Sequence, residues 1–233
     1  MTLLGAAQIR ELAAALDLKP SKSLGQNFVI DSNVCTKIVR TAAVGPTDIA
    51  LEIGPGLGSL TLALLDSAAS VVAVEIDSRL AGQLPITVAN LFEHPENLTV
   101  LNQDALSIQS LPVNPTVLVA NLPYNVSVPV LLHLLEKFES LRTGVVMVQA
   151  EVADRLAAKP GTKEYGIPSV KAAWWAEVKG AGSVSRSVFW PAPNVDSKLV
   201  SFTRRQTPGD EVLRRKVFTI IDAAFAQRRK MLR

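Results

Sequence analysis

The spacing of apolar residues changes along the chain, and the changes mark its elements. Ile9, Leu12, Ala13 and Leu16 recur at helical intervals within residues 5–17. Val34, Ile38, Val39 and Ala42 share one face of a second helix that begins after Asp31. From residue 48 the pattern shortens to β-type runs at 49–53, 70–75, 98–101 and 116–120, separated by segments of helical length, and 144–148 reads as a fifth. Strands alternating with helices predict a parallel sheet covered on both faces.

The later part is less regular. Residues 150–158 read as a helix and 159–168 as a Gly- and Pro-punctuated, partly basic loop expected to be mobile. Runs at 177–185 and 198–204 predict two antiparallel strands on either side of Phe189-Trp190-Pro191-Ala192-Pro193. After Pro208-Gly209, Asp210 caps a helix whose apolar face carries Leu213, Val217, Phe218, Ile221, Ala224 and Phe225. The expected organisation is a main domain over residues 1–205, with an N-terminal helical extension, and the start of a helical unit over 206–233. The apolar stretch 116–135 is too interrupted, by Asn121, Pro123, Asn125, Pro129 and His133, to cross a membrane. Arg10, Glu11 and Asp17 break any secretion signal at the N-terminus.

Composition narrows the chemistry. With 48% hydrophobic residues and a net charge of +3, the chain is globular and mildly basic, which permits a polyanionic partner without requiring one. A lone Cys35 excludes an internal disulfide framework, and His94 and His133 without a cysteine pair give no zinc signature. Metal-free chemistry in a reducing compartment is expected, with both histidines structural or superficial.

The candidate chemistry lies where the strands end. Glu52-Ile53-Gly54-Pro55-Gly56-Leu57-Gly58 follows the first strand, a turn at which glycines let a ligand approach the backbone. Ser59 stands where a dinucleotide fingerprint has its third glycine, and there is no phosphate loop, so a phosphate-bearing cofactor is disfavoured. Glu75 ends the second strand about 20 residues after Gly54, where a carboxylate can hold both ribose hydroxyls. Asp104 follows the third strand and can accept from an adenine amine. Individually Glu52 and Asp104 read equally well as a solvated carboxylate or a helix cap. Together Gly54, Glu75, Asp104 and Asn121 fall at the ends of four successive strands, an edge that fits S-adenosylmethionine, which has ribose, adenine and a sulfonium but no phosphate.

The fourth strand delivers Asn121-Leu122-Pro123-Tyr124. Alone this reads equally as a strand end with a proline turn. It also suits a planar ring bearing an amine: the Asn121 oxygen and the Leu122 carbonyl can accept its two hydrogens, Pro123 restricts the corner, and Tyr124 can stack. Basic clusters at Arg204-Arg205, Arg214-Arg215-Lys216 and Arg228-Arg229-Lys230 fit RNA phosphates or a solvated helix face, and Lys19, Lys22, Lys159 and Lys163 flank the pocket mouth. Trp190 is expected in the core; Phe189 fits either the core or the base pocket.

These motifs, with Leu24-Gly25-Gln26-Asn27-Phe28, Gln103-Asp104-Ala105, Tyr165-Gly166, Pro191 through Ser197 and Phe225-Ala226-Gln227-Arg228-Arg229-Lys230, resemble the ribosomal RNA adenine dimethyltransferases over nearly the whole chain. Asn125 and the segments 160–166 and 191–197 look most like the small-subunit members; large-subunit enzymes of the macrolide-resistance type and mitochondrial transcription factors share part of the pattern. Ile167-Pro168 departs from it, since many relatives carry a basic residue there. The resemblance implies a Rossmann-like, doubly wound, mostly parallel α/β sheet of the S-adenosylmethionine-dependent type, followed by the start of a small helical domain. It also implies dimethylation of the 6-amino group of two adjacent adenines near the 3' end of small-subunit rRNA, by a cytoplasmic monomer, or an organellar one if a transit peptide has been removed. By that resemblance Asn27, Val29, Gly54, Gly56, Glu75, Ile76, Asp104, Ala105 and Asn121 hold the cofactor. Asn121, Leu122, Pro123 and Tyr124 receive the target base, and Phe189, Arg228, Arg229 and Lys230 contact RNA.

Overall fold

The computed structural model describes residues 3–20 and 25–226. In chain order the elements are α1 (Ala6–Ala15), β1 (Phe28–Val29), α2 (Ser32–Thr41), β2 (Ile49–Ile53), α3 (Ser59–Leu65), β3 (Ser70–Glu75), α4 (Ser78–Leu91) and β4 (Leu98–Asn102). There follow β5 (Val117–Asn121), α5 (Ser127–Lys137), β6 (Thr143–Gln149), α6 (Ala150–Leu156), α7 (Ile167–Ala172), β7 (Ala176–Val184), β8 (Phe189–Trp190), β9 (Ser197–Arg204) and α8 (Glu211–Ala226). The main sheet runs β4-β3-β2-β5-β6-β9-β7; β4 through β6 in that order are parallel, and β9 pairs antiparallel with both β6 and β7. A two-residue ladder between β1 and β8 stands apart.

Alternation within each strand builds the two layers. Ala50, Val71, Ala73, Val117, Val119, Val145 and Met147 face one core with residues of α1 to α4, while Leu51, Ile53, Val72, Val74, Leu118, Ala120, Val146 and Val148 face the other with α5, α6 and the tryptophans Trp174 and Trp175. Successive residues of the central strands are therefore all buried, which is why those strands read as unbroken apolar runs. Asp31 caps α2 by accepting from the Asn33 amide at 2.9 Å, and Asp210 accepts from the Leu213 amide at 2.8 Å.

Three details depart from the sequence reading. The 159–168 segment contains the start of α7, with Pro168 in its first turn, where a missing amide costs nothing. On α8 the side that packs is carried by Arg214, Val217, Phe218, Ile221 and Phe225, while Leu213 and Ala224 are exposed. Arg214 replaces the expected apolar contact because its guanidinium lies over the Trp175 and Phe218 rings, at 5.3 and 5.0 Å, and pairs with Glu136 and Glu211. Arg204 is likewise committed: it donates to the carbonyls of Leu135 and Phe138 at the end of α5 and of Leu141 in the connection to β6. Neither guanidinium is a free phosphate contact. Arg228, Arg229, Lys230 and Lys22 lie outside the described residues. Among the described residues, no helix is long and apolar enough to cross a membrane.

Gly144 tests the packing between the sheet and the ring of Phe202. A Cβ there would meet the Leu118 carbonyl and lie 2.5 Å from the Phe202 ring. Gly144→Ala is expected to lower stability by about 1–3 kcal/mol, read as a lower urea midpoint with an unchanged slope.

Candidate functional site

The strand order reverses between β2 and β5, and a cleft opens at the carboxyl ends of β2, β3 and β5. The glycine-rich turn forms its floor. Gly54 and Gly56 have φ of +67° and +59°, values that strain any residue with a side chain, and a Cβ on Gly56 would sit 2.8 Å from the Phe28 ring. Ser59, in the place of the missing third glycine, donates to the Val29 carbonyl at 2.7 Å. That bond ties the strap formed by residues 25–29 over the start of α3. The strap is fixed at two further points: Gln26 Nε2 donates to Asp77 at 3.2 Å, and the Asn27 carbonyl accepts from Asn121 Nδ2 at 3.1 Å.

Glu75 closes β3 beside the turn. One of its oxygens accepts from the Gly56 amide at 3.1 Å and the other from the Asp77 amide at 3.0 Å, while burial pushes its carboxyl above the ordinary range. Asn102 Nδ2 donates to the Glu75 and Ile76 carbonyls and holds that strand end in place. Asp104 is exposed and accepts from the Leu106 amide at 2.9 Å. Ile76 and Leu106 are large apolar side chains left 53% and 37% exposed at the cleft, with Ala105 buried between β4 and the mouth. A flat apolar ring would cover them.

Glu52, weighed in the sequence only as a solvated or capping group, is 1% exposed and lines the same cleft. Burial pushes its carboxyl up to about 8; the hydrogen bond from Thr61 at 2.7 Å opposes the shift and the nearby Glu75 adds to it. The signal in the sequence was a carboxylate inside an apolar strand, two residues before the first glycine. The cleft lining thus carries Glu52, Glu75 and Asp104 but no lysine, arginine or histidine among the described residues. That donor set suits a cationic ligand with hydroxyls and an amine, and repels phosphate, as a sulfonium nucleoside requires.

On the far side of the cleft, Asn121 ends β5. Its Nδ2 is used by the strap, and its Oδ1 is buried with no partner among the described residues. A buried acceptor left unsatisfied costs about 1–3 kcal/mol, so this oxygen is set up for a donor brought by a ligand. Leu122 contributes backbone only: its side chain is in the core and its amide bonds the Met147 carbonyl. Pro123 packs on Gly25, and its carbonyl accepts from the Val126 amide. Tyr124 stands beside the cleft, its hydroxyl 2.6 Å from Ser197 Oγ. Burial raises its phenol, so the ring stays neutral near pH 7.

Of the aromatic pair, Phe189, which fitted either the core or the base pocket, is in the core, and Trp190 packs against that core from its edge. Phe189 is 3% exposed and packs in the core, so it offers no face to a base. Trp190, expected inside, is half-buried and stacks on Phe28 at 6.3 Å. The β1–β8 ladder pairs Val29 with Phe189 and Phe28 with Trp190, and successive strand residues take opposite faces.

Known proteins resemble the chain throughout. The family model for ribosomal RNA adenine dimethylase matches residues 18–233. The ribosomal RNA small subunit methyltransferase A of Leifsonia xyli is 61% identical over 235 residues, covering 100% of this chain and 84% of that protein. A dimethyladenosine transferase from Plasmodium falciparum superposes with a TM-score of 0.74 at 27% identity, over 88% of this chain and 73% of that one. The 23S rRNA methyltransferase ErmE gives 0.72 at 28% identity, over 86% and 80%. The chain belongs to the ribosomal RNA adenine dimethylase family.

Proposed function

We propose that the chain dimethylates the 6-amino group of adenine in small-subunit ribosomal RNA, using S-adenosylmethionine. The observation that carries this reading is the Asn121 Oδ1, buried without a partner among the described residues at the edge of a cleft lined by Glu52, Glu75 and Asp104. The relatives at about 60% identity bear the small-subunit name, which favours that substrate over large-subunit RNA. Such a substrate puts the enzyme with the ribosomes, in the cytoplasm.

When bound, S-adenosylmethionine supplies an electrophilic methyl on a positively charged sulfur. Glu75 would hold its ribose, Asp104 its adenine amine, and Ile76 and Leu106 the faces of that adenine; the strap at Asn27 and Val29 and the turn at Gly54 and Gly56 would enclose the methionine end. Glu52, its carboxyl pushed up to about 8, stays mostly protonated near pH 7 and would face that end as a neutral hydrogen-bonding group. Asn121 accepts one hydrogen of the target amine and the Leu122 carbonyl the other, which aims the nitrogen lone pair. The bond from Asn121 Nδ2 to Asn27 fixes which way the carboxamide faces. Drawing the adenine out of its stack costs a few kcal/mol, and stacking on Tyr124 returns about 1–3 kcal/mol. The alkylated amine is acidic and releases its proton to water; the neutral phenol of Tyr124 is no base for it.

Labelled methyl transfer tests the reading. Unmethylated small-subunit particles are expected to acquire dimethyladenosine; label confined to large-subunit RNA, or absent from both, would reject it. Asn121→Ala is expected to slow transfer about 100-fold with cofactor affinity little changed, since only positioning is lost. Glu75→Ala is expected to weaken cofactor binding roughly 10- to 100-fold, measured by calorimetry.

Glu52 also makes stability depend on pH. Its carboxyl sits at about 8 when folded against an ordinary 4.5, so the folded chain binds the extra proton. This contribution is fully present below pH 4.5 and is lost as pH rises through 8. The ligand-free melting temperature is expected to fall across that window, with Glu75 adding a slope of the same sign. Glu52→Gln is expected to flatten the decline in a series of melts at graded pH.

A further inference from the structure

We propose that Ser197 is a positioning residue for methyl transfer, fixing the plane of the Tyr124 ring on which the target adenine stacks. The inference rests on the function proposed above.

Tyr124 sits in the turn between β5 and α5, closed by the bond from the Val126 amide to the Pro123 carbonyl. That turn fixes the tyrosine backbone, but the ring still rotates about two side-chain bonds. Its second attachment is at the opposite end, where the hydroxyl meets Ser197 Oγ at 2.6 Å with either oxygen as donor. Ser197 is fully buried and opens β9 at the point where three strands meet, opposite Gln149 of β6 and Val184 of β7. The neighbouring Asp196 carbonyl accepts from the Ala150 amide at the start of α6. The ring therefore hangs between a loop and a rigid sheet, pinned at its tip, and the bond uses neither ring face.

A serine is not demanded by packing at such a place. A small apolar residue fills a buried strand position without needing a partner, whereas the Ser197 hydroxyl is matched by the hydroxyl of Tyr124. With the ring already ordered, stacking of an incoming base need not first immobilise it. Loss of the pin is therefore felt when RNA engages and is not felt by the cofactor, whose cleft does not include Tyr124 or Ser197 in its lining.

The test is single-turnover methyl transfer to small-subunit particles at saturating labelled cofactor, with the wild-type chain, Ser197→Ala, Tyr124→Phe, the double variant and Asn121→Ala. Tyr124→Phe keeps a stacking ring and removes only the pin. Each single variant is expected to slow transfer by about three- to tenfold, and the double variant to be no slower than either, with cofactor affinity unchanged. A fluorescent 2-aminopurine at the target position is expected to lose the same fraction of its stacking quench in both single variants. Wild-type transfer by Ser197→Ala, multiplying effects in the double variant, or losses that follow weakened cofactor binding would overturn the assignment. If the wild-type chain transfers methyl and Asn121→Ala does not, any of those results overturns Ser197 alone. Absence of transfer by the wild-type chain overturns the functional reading, and this inference with it.

Discussion

The pairing of β2 with β3 on one side and β5 on the other governs the site. Because the chain leaves β2 towards one edge and returns to its other side for β5, the helices that follow these two strands cover opposite faces. No helix can then close the gap above their carboxyl ends. Glu52 and Gly54 at the end of β2 meet Asn121 there although it is remote from them in sequence, and their separation is set by strand spacing rather than by loop conformation. Gly54 donates its amide to the Val74 carbonyl, so even the turn is an extension of the sheet.

Onto that rigid edge the strap of residues 25–29 is fastened at separate points. Ser59 holds it over α3, Asp77 holds Gln26 near the Glu75 carboxylate, and Asn121 holds it at the proposed amine site. A single short segment thereby touches three separate parts of the cleft wall. Displacing it at one end moves hydrogen-bond partners at the others, which couples the two halves of the site through ordinary backbone stiffness.

Much of this was legible in the sequence for a physical reason. Strands buried on both faces must be apolar throughout, and a backbone forced to positive φ must be glycine, so the runs at 49–53, 70–75 and 116–120 and the turn at Gly54 announce themselves. The ladder of β1 with β8 has two residues per strand and leaves no periodic trace. For Phe189 and Trp190 the alternation guarantees opposite faces without saying which face is inner. Arg214 inside an apolar stripe is invisible to hydrophobic patterning, since its place depends on Trp175 and Glu136, which are remote in sequence. The same holds for Tyr124 and Ser197, 73 residues apart. Glu52 was recorded as a residue but not as a buried one, because burial of a carboxylate is a property of its neighbours.

The contact between Gly56 and Phe28 constrains how the sequence can drift. A side chain at 56 has no room while the Phe28 ring is 2.8 Å from its Cβ position, and shrinking Phe28 removes the ring on which Trp190 stacks. Changes at these three sites are therefore coupled: a side chain at 56 is strained by its φ of +59° in any background, and it also lacks room unless 28 has yielded. The cleft floor and the β1–β8 ladder evolve as one unit, although neither strand of that ladder belongs to the main sheet.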